Sequence, residues 1–389
     1  MLVFLAYYHP AFRAGGPLRT LRNLVDALGD EVDFRIVTRD RDLGDREPFA
    51  EEPSDRWVER DGAKVLYGSA AQTSFRAVST TIRTVDPDIV YLNSFFDLRF
   101  SILPLMVRCL GRCHQRIVWL IAPRGEFSAG ALAIKRWKKR PFLLLARAIG
   151  LHRGLVWQAS SVFEEGDIRR VMGSVAGTVR VAPDLTAAVR PLPAAVAPAA
   201  TGPLRVCFLS RISPKKNLHF AIDVVKRLGR PVVFDIFGPI ENLAYWKTCE
   251  ASIASAPPDC TISWRGEIEH AEVRGAIGGY DLLLFPTQGE NFGHVVFEAL
   301  SVGVPVLVSD RTPWHDLDRR GSGWVRPLEN PARFVDVLKE VASAAAPTRE
   351  ARRRAAHAHA VEVAESREAL EANRRLFADG WHGLPGSPG

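Results

Sequence analysis

Cysteine, long apolar runs and paired metal-binding motifs are scarce in this chain. The five cysteines are odd in number and scattered over 389 residues, a pattern that favours a reducing compartment over a disulfide-stabilised secreted fold. Cys109, Cys113 and His114 lie close together, but no second pair of ligands follows, so thiols without a metal are the favoured interpretation. No run of about 18 apolar residues occurs, and residues 1–10 lack the basic segment of a signal peptide. We therefore expect any membrane association to be peripheral.

Acidic residues are fewer than basic ones, which gives the chain a net charge of +7. A basic protein favours anionic partners such as nucleotides, lipid pyrophosphates or phospholipid surfaces. Nucleic acid is disfavoured, because the sequence shows no zinc spacing, RNP-like aromatic motif or basic recognition helix. The hydrophobic fraction of 47% is typical of a soluble globular protein, and the length predicts two domains of about 150 to 200 residues.

A strand, a loop and a helix are predicted in succession over residues 281–300. Glu298 lies in a helix start that is otherwise apolar, so its carboxylate needs a partner, and the two hydroxyls of a ribose would provide one. Gly293 permits close approach to the backbone, and the amides of His294 and Val295 at the helix start form an anion site. A diphosphate at these amides with a ribose roughly 6 Å further along the helix describes a nucleoside diphosphate. Glu290 would face the group carried by the distal phosphate.

A second cationic loop follows the predicted strand 204–209. Arg211 lies at the end of that strand and Lys216 at the start of the next helix. A lysine is unfavourable at a helix amino terminus unless an anion lies there. This spacing indicates a second set of contacts for a diphosphate.

Glu290 and Glu298, within Gly-Glu-Asn-Phe-Gly-His-Val-Val-Phe-Glu-Ala-Leu, resemble the E-x7-E motif of retaining glycosyltransferases of family 4 (group 1). The resemblance extends over nearly the whole chain and implies the α/β GT-B fold, with two doubly wound parallel-sheet (Rossmann-like) domains facing a cleft. It also implies that donor sugar nucleotide binds the second domain, acceptor binds the first, and no metal or other cofactor is needed. The catalytic residues that it implies are Arg211, Lys216 and Glu290. The donor-binding residues that it implies are Gly15, Gly16, Gly238, Gly266, Glu267, Asn291, Phe292, Gly293, His294, Val295 and Glu298.

The first half of the chain alternates predicted strands and helices, so a functional site is expected at the carboxyl ends of its strands. The paired glycines Gly15 and Gly16 precede a helix that begins with proline, a geometry suited to a phosphate. Many family 4 members carry a histidine near the end of the strand that corresponds to residues 116–121, whereas this sequence offers Arg124 and Glu126 there. We assign both as catalytic candidates, and leave open that the two side chains simply pair with each other.

Two charged segments have more than one interpretation. Asp40-Arg41-Asp42 imitates a metal-binding Asp-x-Asp motif, but its charge-rich surroundings over residues 39–60 favour a solvated loop, and the segment is a candidate acceptor-recognition loop or lid. Residues 129–153 carry seven basic side chains, no acidic one and several large apolar residues. This segment suits contact with an anionic membrane, with an ordinary solvated helix face as the alternative.

The predicted organisation is an acceptor-side domain at 1–185, a linker at 186–203, a nucleotide-sugar domain at 204–348, a helix at 349–378 that returns to the first domain, and a flexible tail at 379–389. The predicted function is transfer of a sugar from a UDP- or GDP-sugar to an acceptor hydroxyl, with retention, in bacterial surface polysaccharide or glycolipid assembly. The acceptor would be a carbohydrate or be linked to a lipid. An epimerase or phosphorylase of the same fold and a non-catalytic nucleotide-sugar binding protein are the alternatives. The predicted location is the cytoplasm, and attachment to the inner face of the membrane is the alternative.

Overall fold

The computed structural model describes residues 1–111, 116–134, 136–192 and 202–382. The chain divides into two compact units, the first comprising Met1–Thr186 and Ser366–Gly389, and the second Ala187–Glu365. Each unit contains a mainly parallel sheet covered by helices, so the predicted pair of doubly wound α/β domains is confirmed. Cys113, His114, Lys135, residues 193–201 of the predicted linker and residues 383–389 of the predicted tail lie outside the described residues.

The first unit has eight strands in the order β3-β4-β2-β1-β5-β6-β7-β8. The strands are β1 (Leu2–Phe4), β2 (Arg35–Arg39), β3 (Trp57–Arg60), β4 (Ala63–Gly68), β5 (Ile89–Asn93), β6 (Val118–Ala122), β7 (Val156–Ala159) and β8 (Thr178–Val181). The helices are α1 (Gly16–Leu28), α2 (Phe75–Val85), α3 (Leu103–Leu110), α4 (Ala129–Ala133), α5 (Arg136–Ala148) and α6 (Val162–Met172). A π-helical turn, Leu98–Ile102, leads directly into α3.

Alternation along β1 shows why this sheet is covered on both faces. Leu2 and Phe4 join one buried cluster, whereas Val3 and Leu5 join another. Successive side chains of a strand point to opposite faces, so a strand that is apolar at every position needs helices on both sides. β3 was not predicted: it lies in the charged segment interpreted as a loop and pairs antiparallel with β4 at the sheet edge. β3 was missed because a charged, half-exposed edge strand lacks the run of apolar residues by which the other strands were predicted.

The second unit has six parallel strands in the order β11-β10-β9-β12-β13-β14. The strands are β9 (Leu204–Leu209), β10 (Val232–Phe237), β11 (Cys260–Gly266), β12 (Leu282–Phe285), β13 (Val306–Ser309) and β14 (Gly323–Arg326). The helices are α7 (Leu218–Lys226), α8 (Leu243–Ala254), α9 (His270–Ile277), α10 (His294–Ser301), α11 (Leu317–Arg320), α12 (Pro331–Ser343) and α13 (Ala346–Ala364). One continuous buried cluster fills this unit.

The last helical segment differs from the single helix expected near 349–377. α13 ends at Ala364, and a separate helix α14 (Arg367–His382) follows. α13 packs in the second unit, where Ala356 and Ala360 are fully buried. α14 belongs to the first unit, where the Phe377 ring lies 6.0 Å from the Tyr91 ring and Asn373 Nδ2 donates to Pro183 O. The break at residues 365–366 thus coincides with the change of unit.

Candidate functional site

The strand order of the second unit reverses between β9 and β12, and the loops that follow these two strands form the candidate site. The amide of Gln288 and the hydroxyl of Thr287 both donate to Lys215 O, at 2.8 and 3.2 Å. On the other side, the amide of Glu290 donates to Arg311 O at 3.0 Å. The loop 286–293 is therefore fixed between the loop after β9 and the loop after β13.

Lys216 and Glu290, both predicted to be catalytic, form an ion pair. Lys216 Nζ lies 2.5 Å from Glu290 Oε2, and the two side chains are 13% and 15% exposed. Burial acts to raise the pKa of Glu290, but the charges of Lys216 and Lys215 outweigh it and hold the pKa below its usual value. Glu290 is therefore ionised near neutral pH, and the pair forms a half-buried charged centre.

Gly293 starts α10 in a left-handed conformation, with φ 84°. A Cβ atom there would lie 3.2 Å from Glu290 Cγ and 3.3 Å from Trp314 Nε1, closer than ordinary van der Waals contact. The first bonds inside α10 run from the amides of Val296 and Phe297 to Gly293 O. The amino end of α10 thus lies against Glu290. Glu298 follows about one turn later, only 7% exposed in an apolar helix.

Gly238 and Gly266 lie at the ends of the neighbouring strands β10 and β11. Gly238 has a positive φ of 125°, and a Cβ there would lie 2.1 Å from Ser210 O. Its amide donates to Gly266 O at 2.8 Å, so the backbones of adjacent loops approach closely at this position. The predicted Glu267 follows and is exposed. Packing of the backbone, independent of any ligand, is therefore enough to require glycine at 238.

Arg211 follows β9 as predicted and is half-exposed. Its Nη1 lies 3.3 Å from Glu241 Oε2, and the two side chains are 35% and 44% exposed. A solvated ion pair of this kind is weak, so it restrains Arg211 little. Within the described residues, no group of three or more His, Cys, Asp or Glu side chains forms a metal cluster. Independence from metal stays a prediction.

Trp314 was missed by the sequence reasoning. It is 5% exposed, its Nε1 donates to Phe292 O at 2.6 Å, and the two rings lie 5.6 Å apart. The other side of Trp314 contacts the ring of His359 on α13. Trp314 thus fixes the residue that precedes Gly293. The available signal was the tryptophan itself in the loop after β13, because the indole N–H of a buried tryptophan usually has a hydrogen-bond partner.

The glycine-rich loop after β1 is held by Asp42. The amides of Phe12 and Arg13 donate to Asp42 Oδ2 at 2.9 and 3.2 Å, just before Gly15, the residue that precedes α1. Asp40 and Asp42 are each only 4% exposed. The interpretation of Asp40-Arg41-Asp42 as a solvated loop is therefore wrong at both aspartates. Carboxylates that accept backbone amides can be buried, and that pairing was not visible in the sequence.

Arg124 occupies a buried network in the first unit. Its guanidinium donates to Asp184 Oδ1 at 2.6 Å, to Tyr91 Oη at 2.6 Å and to Asn93 Oδ1 at 2.8 Å. The side chains of Arg124 and Asp184 are 5% and 4% exposed. Thr20 adds a hydrogen bond to the other oxygen of Asp184. Arg124 thus links β5 to Asp184, which in turn accepts from Thr20 on α1, and none of the contacts observed for Arg124 is with Glu126.

Glu126 also has protein partners. Its two oxygens accept hydrogen bonds from Ser94 Oγ at 2.9 Å and from the amides of Phe95 and Phe96 at 2.6 and 3.0 Å. Burial raises the pKa of Glu126, although the two amides act in the opposite direction. Glu126 therefore shapes the loop after β5. Arg124 and Glu126 do not pair with each other, so the alternative interpretation of the two residues as a simple ion pair is wrong.

α5 carries the basic segment and exposes large apolar side chains. Phe142 and Leu143 pack against the core, while Trp137, Leu144 and Leu145 are 71%, 70% and 61% exposed. Arg136, Lys138 and Arg140 are exposed as well. None of the described helices has both the length and the apolar character needed to cross a bilayer.

Residues 194–359 match the family model described as glycosyl transferases group 1, which is less than half of the chain. One curated relative, the processive diacylglycerol alpha-glucosyltransferase of Acholeplasma laidlawii, is 29% identical over 102 residues, which cover 26% of this chain. The chain spans only 30% of that relative's length. The segment that matches the family model lies entirely within the second unit.

Solved structures of GT-B enzymes resemble the whole chain. The sucrose-phosphate synthase from Thermosynechococcus elongatus has a TM-score of 0.75 at 14% identity, covering 98% of this chain and 99% of that one. Anabaena HepE in complex with UDP and glucose has a TM-score of 0.68 at 15% identity, covering 99% and 100%. At these identities the likeness establishes the fold, which is GT-B.

Proposed function

We propose that this protein is a retaining glycosyltransferase of family 4, which moves a sugar from a UDP- or GDP-sugar to an acceptor hydroxyl. The observation that carries the proposal is the half-buried pair of Lys216 and Glu290 against the amino end of α10, with Glu298 buried one turn further on. This arrangement lies in the segment that matches the group 1 family model.

Each group has a defined task in the proposed reaction. The diphosphate leaving group gains negative charge as the glycosidic bond breaks, while the sugar approaches an oxocarbenium-like state. Lys216 and Arg211 neutralise that charge, together with the amino end of α10, so no divalent metal is required. Glu298 accepts hydrogen bonds from the ribose hydroxyls. Glu290 orients Lys216 and faces the donor sugar.

The acceptor is proposed to be a carbohydrate or a lipid-linked molecule, in bacterial surface polysaccharide or glycolipid assembly. The curated relative with a diacylglycerol substrate in its name supports a lipid-linked acceptor. We also propose that α5 contacts the anionic inner face of the membrane. Basic side chains supply attraction to lipid headgroups, and Trp137 and Leu144, seven residues apart on one helix face, supply apolar contact.

Calorimetric titration of UDP and GDP in the presence of a chelator tests the donor site. Wild type is expected to bind one nucleotide, and Glu298→Ala is expected to lose about 1 to 3 kcal/mol of binding free energy. Glu250→Ala, an exposed glutamate on α8, is the matched control and should bind as wild type. Binding of neither nucleotide, or unchanged binding by Glu298→Ala, would contradict the proposal.

Product analysis separates transfer from the other activities of the fold. A transferase releases the nucleoside diphosphate from the donor rapidly only when the acceptor is present. An epimerase converts the nucleotide-sugar without any acceptor. A non-catalytic binding protein would lose nucleotide affinity in Glu298→Ala yet never yield a transfer product.

Vesicle cosedimentation tests the membrane contact. Wild type should sediment with vesicles containing phosphatidylglycerol but not with pure phosphatidylcholine. Trp137→Ser combined with Leu144→Ser should reduce the bound fraction several-fold. Leu243→Ser replaces a leucine on α8 of the second unit that is 63% exposed, and it serves as the control. Equal binding of all three proteins would reject α5 as the contact.

A further inference from the structure

Arg39 lies at the carboxyl edge of the sheet in the first unit, close to a reversal of strand order. The strand order reverses between β1 and β5, and ligands of open parallel sheets bind at such a reversal, beyond the carboxyl ends of the strands. Arg39 is the last residue of β2, next to β1, and its amide donates to Ala6 O just after β1. It therefore stands beside the reversal.

Two aromatic rings fix the guanidinium of Arg39. Its Cζ atom lies 5.3 Å from the centroid of the Tyr7 ring and 5.4 Å from that of Phe100. Such cation–π contacts orient the planar group while leaving its N–H donors available in the plane. Nε is buried and has no hydrogen-bond partner among the described residues. Because Nε is closed to solvent, a ligand would be bound by the two terminal nitrogens of the guanidinium.

The ion pair that Arg39 makes is also a long one. The nearest carboxylate is that of Asp97, with Oδ2 3.8 Å from Nη2, beyond hydrogen-bond distance. Asp97 already caps the π-helical turn, because Oδ1 accepts the amides of Arg99 and Phe100 at 2.9 and 2.8 Å. By contrast, Arg124 at the same sheet edge has short hydrogen bonds to Asp184, Tyr91 and Asn93. Of these two arginines, Arg39 is the one with capacity for a ligand, and its side chain is 30% exposed.

We propose that Arg39 binds an anionic group, a carboxylate or a phosphate, on the acceptor, and that this contact selects acidic acceptors. The inference rests on the proposed function, in which the acceptor binds the first unit. The chemistry follows from the guanidinium, whose N–H donors match the oxygens of a carboxylate or phosphate in one plane.

Calorimetry with three small sugars tests this inference. Protein saturated with UDP or GDP, so that the donor site is filled, is titrated with glucuronate, glucose 6-phosphate and glucose. The two anionic sugars distinguish a carboxylate from a phosphate, and glucose reports binding without charge. Arg39→Met removes the cation and keeps an apolar stem between the two rings. Arg35→Met is the matched control, since it removes an arginine from the opposite end of the same strand.

Wild type should bind at least one anionic sugar about tenfold more tightly than glucose, and Arg39→Met should abolish this preference. Arg39→Lys, which keeps the charge but not the planar donors, should retain part of it. Equal binding of all three sugars by wild type, or an unchanged preference in Arg39→Met, overturns the inference. Nucleotide binding is measured first with the same samples. If wild type binds no nucleotide, the proposed donor site is refuted. If wild type binds nucleotide but shows no preference for the anionic sugars, only the role of Arg39 is refuted.

Discussion

The carboxyl edges of the two sheets use their charged residues differently. At the edge of the second unit, Lys216 and Glu290 pair across two loops at a reversal of strand order. At the edge of the first unit, Arg124 and Glu126 are occupied by hydrogen bonds to backbone and buried side chains. A charged residue at a strand end is therefore not enough to indicate a site. What matters is whether neighbouring strands already supply its partners.

Replacing Arg124 should have the largest effect, and it should be on stability. Arg124→Met leaves Asp184 buried without its charged partner, which is expected to lower the free energy of unfolding by about 3 to 5 kcal/mol. Denaturant unfolding followed by circular dichroism measures this loss. Arg205→Met, an exposed arginine at the start of β9, should change stability little. If Arg124→Met were as stable as wild type but inactive, Arg124 would belong with Lys216 as a functional residue.

Two buried histidines, one without hydrogen-bond partners and one with a partner, should differ in how strongly they make the stability of the protein depend on pH. His152 has no hydrogen-bond partner at either ring nitrogen among the described residues, and burial, aided by Arg108, lowers its pKa to about 4. Because the folded state disfavours the protonated ring, the stability contribution is complete above about pH 6.5 and is lost as pH falls toward 4. We expect a loss on the order of 3 kcal/mol by pH 4 that is absent in His152→Phe.

His359 provides the comparison for that experiment. Its Nδ1 lies 2.8 Å from Ser322 Oγ, and its Nε2 lies 3.7 Å from Asp316 Oδ1, although burial lowers its pKa as well. The nearby carboxylate opposes that shift, so His359→Phe should remove less of the pH dependence. Parallel unfolding curves for wild type and His152→Phe between pH 6.5 and 4 would contradict the assignment to His152.

Lys216→Met should act mainly on nucleotide binding, whereas Arg124→Met should act mainly on stability. Loss of its charge should weaken nucleotide binding by about 2 to 3 kcal/mol, because a charge-assisted contact with the diphosphate disappears. Calorimetry at fixed ionic strength provides the measurement, and Lys226→Met on α7, away from the loops of the site, is the control. Unchanged nucleotide affinity would place the diphosphate elsewhere.

Trp314→Phe should have the smallest effect. It removes the hydrogen bond to Phe292 O but keeps an aromatic ring, so nucleotide affinity should fall by about 1 kcal/mol. Trp57→Phe on the exposed edge strand β3 controls for the loss of an indole. A positioning role predicts that the nucleotide Kd rises while the midpoint of thermal unfolding shifts little. A large fall in the midpoint with unchanged Kd would make Trp314 a purely structural residue.

Much of the fold was predictable, because apolar strands alternate with amphipathic helices along most of the chain. β10 and β12, for instance, are short apolar runs bounded by turn residues, which local patterning identifies. β3 and the break between α13 and α14 were not predictable in this way. The first depends on an edge pairing with β4, and the second on which unit each half of the segment packs against.

The sequence by itself determined the two α/β units, and it placed Gly293 just before a helix and Lys216 and Glu290 in loops at the carboxyl edge of the second sheet. These follow from local periodicity and from residue types whose chemistry is unambiguous. The ion pair between Lys216 and Glu290 was seen only in the tertiary structure. Only the tertiary structure decided which polar residues outside this site have their hydrogen-bonding groups paired within the protein. It buried Asp42 beneath the amides of the glycine-rich loop, enclosed Arg124 with Asp184, and left Arg39 between two rings with an N–H unpaired among the described residues. Hydrogen bonding between distant segments made these choices, since the partners of a buried polar group come from strands far apart in sequence.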